Sequence, residues 1–262
     1  MLVLGNVLRG FGLGSRVARQ PLVSRDVGAF PPLCSVHDLA IIGDVHGMAR
    51  LFEALLARLD AEYPAARIIC VGDLIDRGDD SADVLRLAFD RRDSVTVLMG
   101  NHEEMMLRFL DDPDREAARW LRNGGLQTLA SYRIAAPGSA AGAQEHISVR
   151  DRLRAAIGPQ METWLKGLPR YCVNGNIAVT HAGADPWLPI SQQPDQVLTW
   201  GHPDFGSRRR TDGCWVAHGH VITVEPKAAD GVISVDTGAF AGGGLTSAVI
   251  QGHEIRFVTE KL

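Results

Sequence analysis

The stretch "VTVLMGNHEEMMLRF", residues 95–109, changes character in its middle, and this change predicts the fold around it. Its first five residues have the β-branched and apolar composition of a buried strand. Gly, Asn, His and Glu then follow together at 100–103, ahead of a run with helical spacing. An amide, an imidazole and a carboxylate at the end of an apolar strand need a chemical reason, because burying polar groups costs free energy. The stretch therefore predicts a strand, a polar loop that carries chemistry, and a helix.

The same order of strand, polar loop and helix occurs twice earlier in the chain. Residues 39–42 and 67–71 are apolar, strand-like runs, and helical spacing follows them at 48–60 and 81–89. Strands that alternate with helices of about 10–13 residues are typical of βαβ units and a parallel sheet.

The remainder of the chain predicts a helical segment followed by a second sheet. Residues 105–168 look helical, with a break at 136–143, and five short apolar runs separated by Gly, Pro and Asp turns follow. These runs are NIAVTHAG, CWVAHGH, GVISVDTGA, LTSAVIQ and HEIRFVTE. We expect an α/β (α+β) fold of two sheets packed face to face, with helices outside and the 105–168 helices as a cap.

Composition gives the broad class of the protein. The 262 residues are 45% hydrophobic and 22% charged with a net charge of −4, which indicates neither a nucleic acid nor a membrane partner. Its four cysteines form no C-x-x-C pair, so we expect reduced thiols in a cytoplasmic protein. We also expect the protein to be a monomer.

Residues 1–36 differ from the rest because they are rich in Arg and poor in acidic residues. Such a start is also typical of a transit peptide or a secretory signal, but Arg9 and Gly10 interrupt any apolar core of a signal. We expect a poorly ordered extension at 1–36, followed by one domain at 37–262.

The polar loops point to a shared site. GDVHG (43–47), GDLIDRG (72–78) and GNHE (100–103) each follow one of the first three strands. Because the carboxyl ends of parallel strands meet at one edge of a sheet, we expect these loops to lie together. Asp, His and Asn side chains suit Mn²⁺, Fe²⁺ or Zn²⁺, whereas a Ca²⁺ site is built of oxygen. With His181 and His220, which follow later strand-like runs, the set exceeds the need of one ion and predicts two ions sharing a carboxylate, as in phosphoryl transfer.

These three motifs, in this order, resemble the calcineurin-like metallophosphoesterase superfamily, and more narrowly the bacterial branch of the PPP-type serine/threonine protein phosphatases. The segments NGGLQTLASY (123–132) and DTGAFAGGGLTS (236–247) also resemble that branch. The resemblance covers about 38–260. It implies two packed mixed β-sheets flanked by helices, a four-layer sandwich with a helical cap.

The resemblance also implies the ligands of two divalent metal ions, with Mn²⁺ expected and Fe or Zn as alternatives. Strand alternation places His218 and His220 on one face and does not choose between them, whereas the family's Gly-His order favours His220. One ion would be held by Asp44, His46 and Asp73, and the other by Asp73, Asn101, His181 and His220, so that Asp73 bridges the two.

The same resemblance assigns catalytic and substrate-binding residues. A hydroxide activated by both ions would attack phosphorus, and His102 would protonate the leaving group while Asp76 orients its ring. Arg77 would bind the phosphate oxygens together with Asn101. Glu103 is expected either next to the ligands or as a charge in the first turn of the helix.

One departure from the family pattern concerns a second phosphate-binding arginine, expected shortly after a Trp ahead of the last histidine. Gly201 and His202 stand there instead. The alternatives are that His202 takes this role, that the affinity or the substrate differs, or that an arginine from the run Arg208, Arg209, Arg210 reaches the site.

The motifs favour a protein phosphoserine/phosphothreonine phosphatase, with a phosphorylated protein or a small phosphomonoester as partner. A dinucleoside-polyphosphate hydrolase is the alternative, although that family usually has another second motif and Asp after GNH. A phosphodiesterase is less favoured, because His102, Asp76 and Arg77 suit a dianionic monoester. A binding module without catalysis typically lacks several ligands, and here every expected ligand position is filled.

Overall fold

The computed structural model describes residues 29–138 and 141–262, in which two five-stranded sheets pack against each other. The first has the order β10-β9-β1-β2-β3, and the part formed by β1, β2 and β3 is parallel, as predicted: β1 pairs with β2 from Leu39↔Arg67 to Ile42↔Cys70, and β2 pairs with β3. Its strands are β1 Leu39–Ile42, β2 Arg67–Cys70, β3 Val95–Val97, β9 Leu245–Gln251 and β10 Glu254–Glu260.

The second sheet has the order β4-β5-β6-β8-β7, with a parallel centre and antiparallel edges. Its strands are β4 Tyr171–Asn174, β5 Ile177–Thr180, β6 Trp215–His218, β7 Lys227–Ala229 and β8 Val232–Ser234. Three of the five late runs form strands of this sheet, as expected. The other two, β9 and β10, instead join the first sheet, where β9 pairs antiparallel with β1. Both sheets are therefore mixed.

Strand β1 shows how the layers are held together. Leu39 and Ile41 lie in the core between the two sheets, together with Val179 and Ile233 of the second sheet. Ala40 and Ile42 face the opposite way, into the core shared with the helices. Alternate residues of one strand thus supply two cores, which explains why β1 is apolar throughout.

Most of the helices cover the outer face of the first sheet. They are α1 Ala49–Glu62, α2 Ser81–Asp90, α3 Asn101–Asp111, α4 Pro113–Trp120, α5 Leu126–Ser131, α6 Ala143–Ile157, α7 Pro159–Lys166 and α8 Asp195–Trp200. A π-helical turn, Leu121–Gly125, joins α4 to α5. The 105–168 helices share one hydrophobic core with α1, α2 and the first sheet. Two sheets flanked by helices confirm the predicted fold class.

The described residues before β1 pack against the core between the two sheets. Residues 1–28 of the predicted extension lie outside the described residues. Beyond them, Leu33 is buried in the core between the sheets, and the Phe30 ring packs edge-on against Trp215 at 5.3 Å. Trp215 Nε1 also donates to the Pro31 carbonyl at 2.8 Å.

Within the described part of the chain, no helix has both the length and the apolar character needed to cross a membrane.

Candidate metal centre

The candidate site lies where strands of both sheets end. Loops after β1, β2 and β3 meet residues that follow β5 and β6 there. Five non-glycine residues of these loops have left-handed backbone angles, with φ between 45° and 70°. Such conformations are costly for side chains other than glycine and persist where the surroundings fix them, which is common at functional sites. The five are His46, Asp73, Asp76, Arg77 and His220.

Asp73 lies at the centre of the site and is buried. Its Oδ2 is 3.6 Å from His46 Nε2, and its Oδ1 is 3.5 Å from His181 Nε2. The backbone N–H of His102 donates to Oδ1 at 3.0 Å. Burial raises the pKa of Asp73, but the surrounding imidazoles and this N–H outweigh burial and hold the pKa below its ordinary value. Asp73 therefore presents an ionised oxygen to each of two histidine sets.

The tautomers of two histidines follow from their backbone contacts. His46 Nδ1 lies 2.8 Å from the Ile75 carbonyl, and His181 Nδ1 lies 3.0 Å from the Val71 carbonyl. A carbonyl only accepts hydrogen bonds, so each Nδ1 carries the proton and each Nε2 presents a lone pair to the site. Burial lowers the pKa of His46 to about 3 and also lowers the pKa of His181, which keeps both rings in the neutral form that binds metals.

Asn101 faces two of these imidazoles. Its Oδ1 is 2.8 Å from His181 Nε2 and 2.8 Å from His220 Nδ1. The Nε2 of His181 and the amide oxygen are both acceptors, so two lone pairs point at each other. A bound cation relieves this conflict. Asp73, His181 and His220 offer ligand atoms within 4.8 Å of one another, and so do His46, Asp73 and His102.

Asp44 belongs to neither of these two sets, but it is buried beside them. Both of its carboxylate oxygens accept from the His220 backbone N–H, at 3.1 and 3.0 Å. Burial, and then the charges of Asp236 and Asp73, raise the pKa of Asp44 well above its ordinary value, and burial raises that of Asp236 to about 6. Three buried carboxylates in one place repel each other, and divalent cations would neutralise them. The donor set thus fits the two predicted ions.

His102 and Asp76 form a buried pair at the edge of this cluster. His102 Nδ1 is 2.7 Å from Asp76 Oδ2, and the buried Nε2 of His102 has no hydrogen-bond partner within the described residues. Burial lowers the pKa of His102, but the carboxylates of Asp73 and Asp76 outweigh it and hold the pKa above its ordinary value. The ring can therefore carry a proton that points into the site.

The helical segment supplies residues that fix Asp76 and that were not predicted as site residues. The indole Nε1 of the fully buried Trp120 donates to Asp76, and so does the Thr128 hydroxyl. The Asp76 backbone N–H donates to both Thr128 and Ser81 at 3.0 Å. The sequence signal for Thr128 was its place in the segment NGGLQTLASY. The role of Thr128, however, depends on its contact with Asp76, 52 residues away.

Glu103 ties the loops together beneath the site. Its carboxylate accepts from the backbone N–H groups of Asp73 (2.8 Å), Leu74 (2.7 Å) and Gly100 (3.0 Å). Burial raises the pKa of Glu103 to about 7. Of the two expectations for Glu103, a place next to the ligands describes it better than a helix charge, because the side chain is fully buried.

The structure separates His218 from His220. Strand β6 ends at His218, whose Nε2 is 3.0 Å from Ser234 Oγ and whose ring packs against Phe205 at 4.8 Å. His220 follows in a left-handed turn (φ 66°) and faces Asn101. The expectation that both lie on one strand face was wrong, because the strand stops before His220.

One alternative was that an arginine from the run after α8 reaches the site, and the contacts of Arg210 are elsewhere. Arg210 is buried and donates to Asp212 and to the backbone carbonyls of Asp185 and Leu188, so its guanidinium holds loops together. Arg208 and Arg209 line a separate cavity of about 550 Å³ that also contacts His218. His202 Nε2 lies 3.8 Å from Asp185.

Arg77 is the arginine at the site. Its Nη1 donates to His46 Nε2 at 3.0 Å, and its guanidinium carbon lies 4.9 Å from the centre of the Phe240 ring. Phe240 in turn packs edge-on against the His46 ring at 5.1 Å. Phe240 and Asp236 were not predicted as site residues, although both fall in the segment DTGAFAGGGLTS.

The calcineurin-like phosphoesterase family model matches residues 37–223. Among the curated relatives is an asymmetrical bis(5'-nucleosyl)-tetraphosphatase, PrpE, of Bacillus velezensis, which is 26% identical over 82% of this chain and 89% of its own length. A symmetrical bis(5'-nucleosyl)-tetraphosphatase of Delftia acidovorans is 27% identical over 82% of this chain and 93% of its own.

Two solved structures show the same fold. One, provisionally assigned as a diadenosine tetraphosphatase, is 23% identical with a TM-score of 0.61 over 87% of this chain and 96% of that one. The other, a protein serine/threonine phosphatase of Saccharomyces cerevisiae, is 16% identical with a TM-score of 0.55 over 86% of this chain and 80% of that one. At these identities the likeness concerns the fold and not the substrate.

The family model confirms the superfamily, and the curated relatives correct the function expected from the motifs. The expectation of a protein phosphoserine/phosphothreonine phosphatase was wrong, since the curated relatives reported above are bis(5'-nucleosyl)-tetraphosphatases. That expectation relied in part on Glu103, because the alternative family usually has Asp at this position. Glu103 is bound to three backbone N–H groups below the site and has no surface for a substrate, so its identity does not decide the substrate class.

Proposed function

Since the chain belongs to the calcineurin-like phosphoesterase family, we propose that it is a metal-dependent hydrolase of bis(5'-nucleosyl) tetraphosphates. One observation carries the proposal: relatives named for this activity align with 82% of this chain and with 89–93% of their own length.

The ligand assignment is part of the proposal. Asp44, His46 and Asp73 would hold one divalent ion, and Asp73, Asn101, His181 and His220 the other. The opposed lone pairs of His181 and Asn101 and the crowding of buried carboxylates support it. When bound, two such ions supply Lewis acidity and lower the pKa of water. Histidine, carboxylate and amide ligands suit Mn²⁺, Fe or Zn.

Arg77 and Asn101 would bind the phosphate chain. A planar guanidinium donates two parallel hydrogen bonds to phosphoryl oxygens, and Arg77 borders the cluster through its contact with His46. Its side chain is exposed, so an incoming phosphate can reach it. The amide of Asn101 faces the same space.

His102 would act on the leaving group. As an imidazolium it can donate the Nε2 proton to the phosphate oxygen that leaves, while Asp76 keeps the ring oriented and charged. Nε2 has no hydrogen-bond partner within the described residues, with Asp73 Oδ2 at 3.9 Å, so this proton is available to a substrate.

Hydrolysis of diadenosine tetraphosphate in the presence of Mn²⁺ tests the proposal, with a phosphoserine peptide and p-nitrophenyl phosphate as competing substrates. We expect the dinucleotide to have the highest kcat/KM. Formation of a nucleoside triphosphate and a monophosphate, or of two diphosphates, supports the proposal and identifies the asymmetrical or the symmetrical reaction. His102→Asn should reduce the rate strongly, and His37→Asn, at an exposed histidine before β1, should not. Turnover of the phosphopeptide without turnover of the dinucleotide would overturn the proposal.

A further inference from the structure

A groove of about 520 Å³ opens beside the candidate metal centre. Arg77 and Phe240 form the end nearest the centre, and the 121–127 segment, from the π-helical turn into α5, forms the rest. This volume lies in the range of sites that bind small organic ligands. Apart from Arg77, the proposed reaction uses none of the residues that line it.

The Phe240 ring connects the groove with the metal centre. It lies 5.1 Å from the ring of His46, a proposed ligand, and 4.9 Å from the guanidinium carbon of Arg77. The residue is only partly buried, and its ring also lines the groove. A molecule in the groove can therefore contact an aromatic ring while its phosphate reaches Arg77.

Gly124 fixes the position of the opposite wall. It has φ 109°, and a Cβ at this position would lie 2.6 Å from the Arg77 backbone nitrogen. The turn that contains Gly124 can thus pack directly against Arg77. The next helix presents Leu126, which is 46% exposed, and the amide of Gln127, both of which line the groove.

We propose that this groove is the nucleoside subsite, which binds one purine base of the dinucleotide against Phe240. The proposal rests on the proposed function. The Phe240 ring provides a flat surface on which a base stacks, and Leu126 adds an apolar contact. The amide of Gln127 can both donate to and accept from the polar edge of a base. The groove begins at the residue proposed to bind phosphate, as a molecule with a base and a phosphate chain requires.

Phe240→Leu tests the subsite, because it removes the aromatic face and keeps an apolar side chain beside His46. Loss of base stacking is expected to raise KM for diadenosine tetraphosphate about tenfold. The readout is the ratio of kcat/KM for the dinucleotide to kcat/KM for p-nitrophenyl phosphate, which has no base. Leu126→Ala, at a position that is 46% exposed, should lower the same ratio.

Trp164→Leu is the matched control, since it removes an aromatic ring that packs against Phe89 at 5.6 Å, outside the groove. Binding of a methylene-bridged, non-hydrolysable dinucleotide to the Mn²⁺-loaded protein, measured by calorimetry, should weaken in Phe240→Leu and not in Trp164→Leu. An unchanged ratio in both groove variants would overturn the subsite, as would an equal loss for both substrates in Phe240→Leu. If the wild type does not hydrolyse the dinucleotide at all, the proposed function fails, which is a different result.

Discussion

Replacing Gly219 by alanine is expected to disable the metal centre by displacing Asp44. A Cβ at this position would lie 1.9 Å from Asp44 Oδ1 and 2.7 Å from a methyl group of Val71. Heavy atoms at that separation overlap, so the carboxylate or the turn must move by about 1 Å or more. The turn cannot move alone, because the N–H of the next residue, His220, donates to both oxygens of Asp44.

The displacement sets the size of the expected effect. A shift of about 1 Å in a group that positions the reaction can cost roughly 100-fold in rate. Loss of an oriented ligand environment weakens metal affinity about 10- to 100-fold. Forcing an extra methyl group into a packed region lowers the free energy of unfolding by about 1–3 kcal/mol.

The assay combines metal content, activity and stability. Bound Mn²⁺ is measured by mass spectrometry after dialysis at a fixed free concentration, kcat is measured across a Mn²⁺ titration, and thermal unfolding monitors the fold. Gly142→Ala is the matched control, because a Cβ there meets nothing within 4 Å. Asp44→Asn keeps the side-chain shape without the overlap and should show the same loss of metal. Gly219→Ala protein with full metal content and wild-type activity would refute the assignment of Asp44 as a ligand.

Three further predictions concern buried charged groups. In the proposed reaction His102 must be protonated, so activity is lost as pH rises through the pKa of His102. Asp76→Asn removes a carboxylate that raises this pKa and should shift the loss about 1–2 pH units lower, and an unmoved alkaline limb of kcat/KM would contradict this. Glu103→Ala leaves three backbone N–H groups without their acceptor and should lower the free energy of unfolding in urea by about 2–4 kcal/mol, whereas a loss below about 1 kcal/mol would show that these bonds are replaced. Arg210→Met should also lower the free energy of unfolding by about 2–4 kcal/mol and leave KM for the dinucleotide within about twofold of wild type. A tenfold rise in KM would instead place Arg210 at the phosphate chain.

The parts of the fold that follow from local pattern were predictable. A run such as 39–42 is apolar because β1 is buried on both faces, and the Gly-flanked loops mark where strands end. The placement of β9 in the first sheet was not predictable in this way. Its pairing with β1 joins Leu39 to Ile250 across most of the chain, and strand alternation within either segment carries no information about its partner.

The same limit applies to the candidate site. Residues within the three motifs were found because loops at the ends of parallel strands converge. Trp120 lies 44 residues from Asp76 and was missed, since an indole on a helix is more often part of a core. His220 was chosen over His218 because of the family's Gly-His order. Strand alternation could not separate the two, because it carries no sign that β6 ends at His218 and that His220 follows with a left-handed backbone.

The substrate class was missed for a related physical reason. In the proposed reaction the motif residues would hold the metal ions and act on the phosphorus atom, and that chemistry is common to phosphoserine and to a dinucleoside tetraphosphate. Residues that distinguish these substrates must contact the group attached to the phosphate. Glu103 cannot do so because it is buried beneath the loops, whereas Phe240 and the 121–127 segment border the centre on its open side. The groove variants therefore probe specificity, and the motif variants probe catalysis.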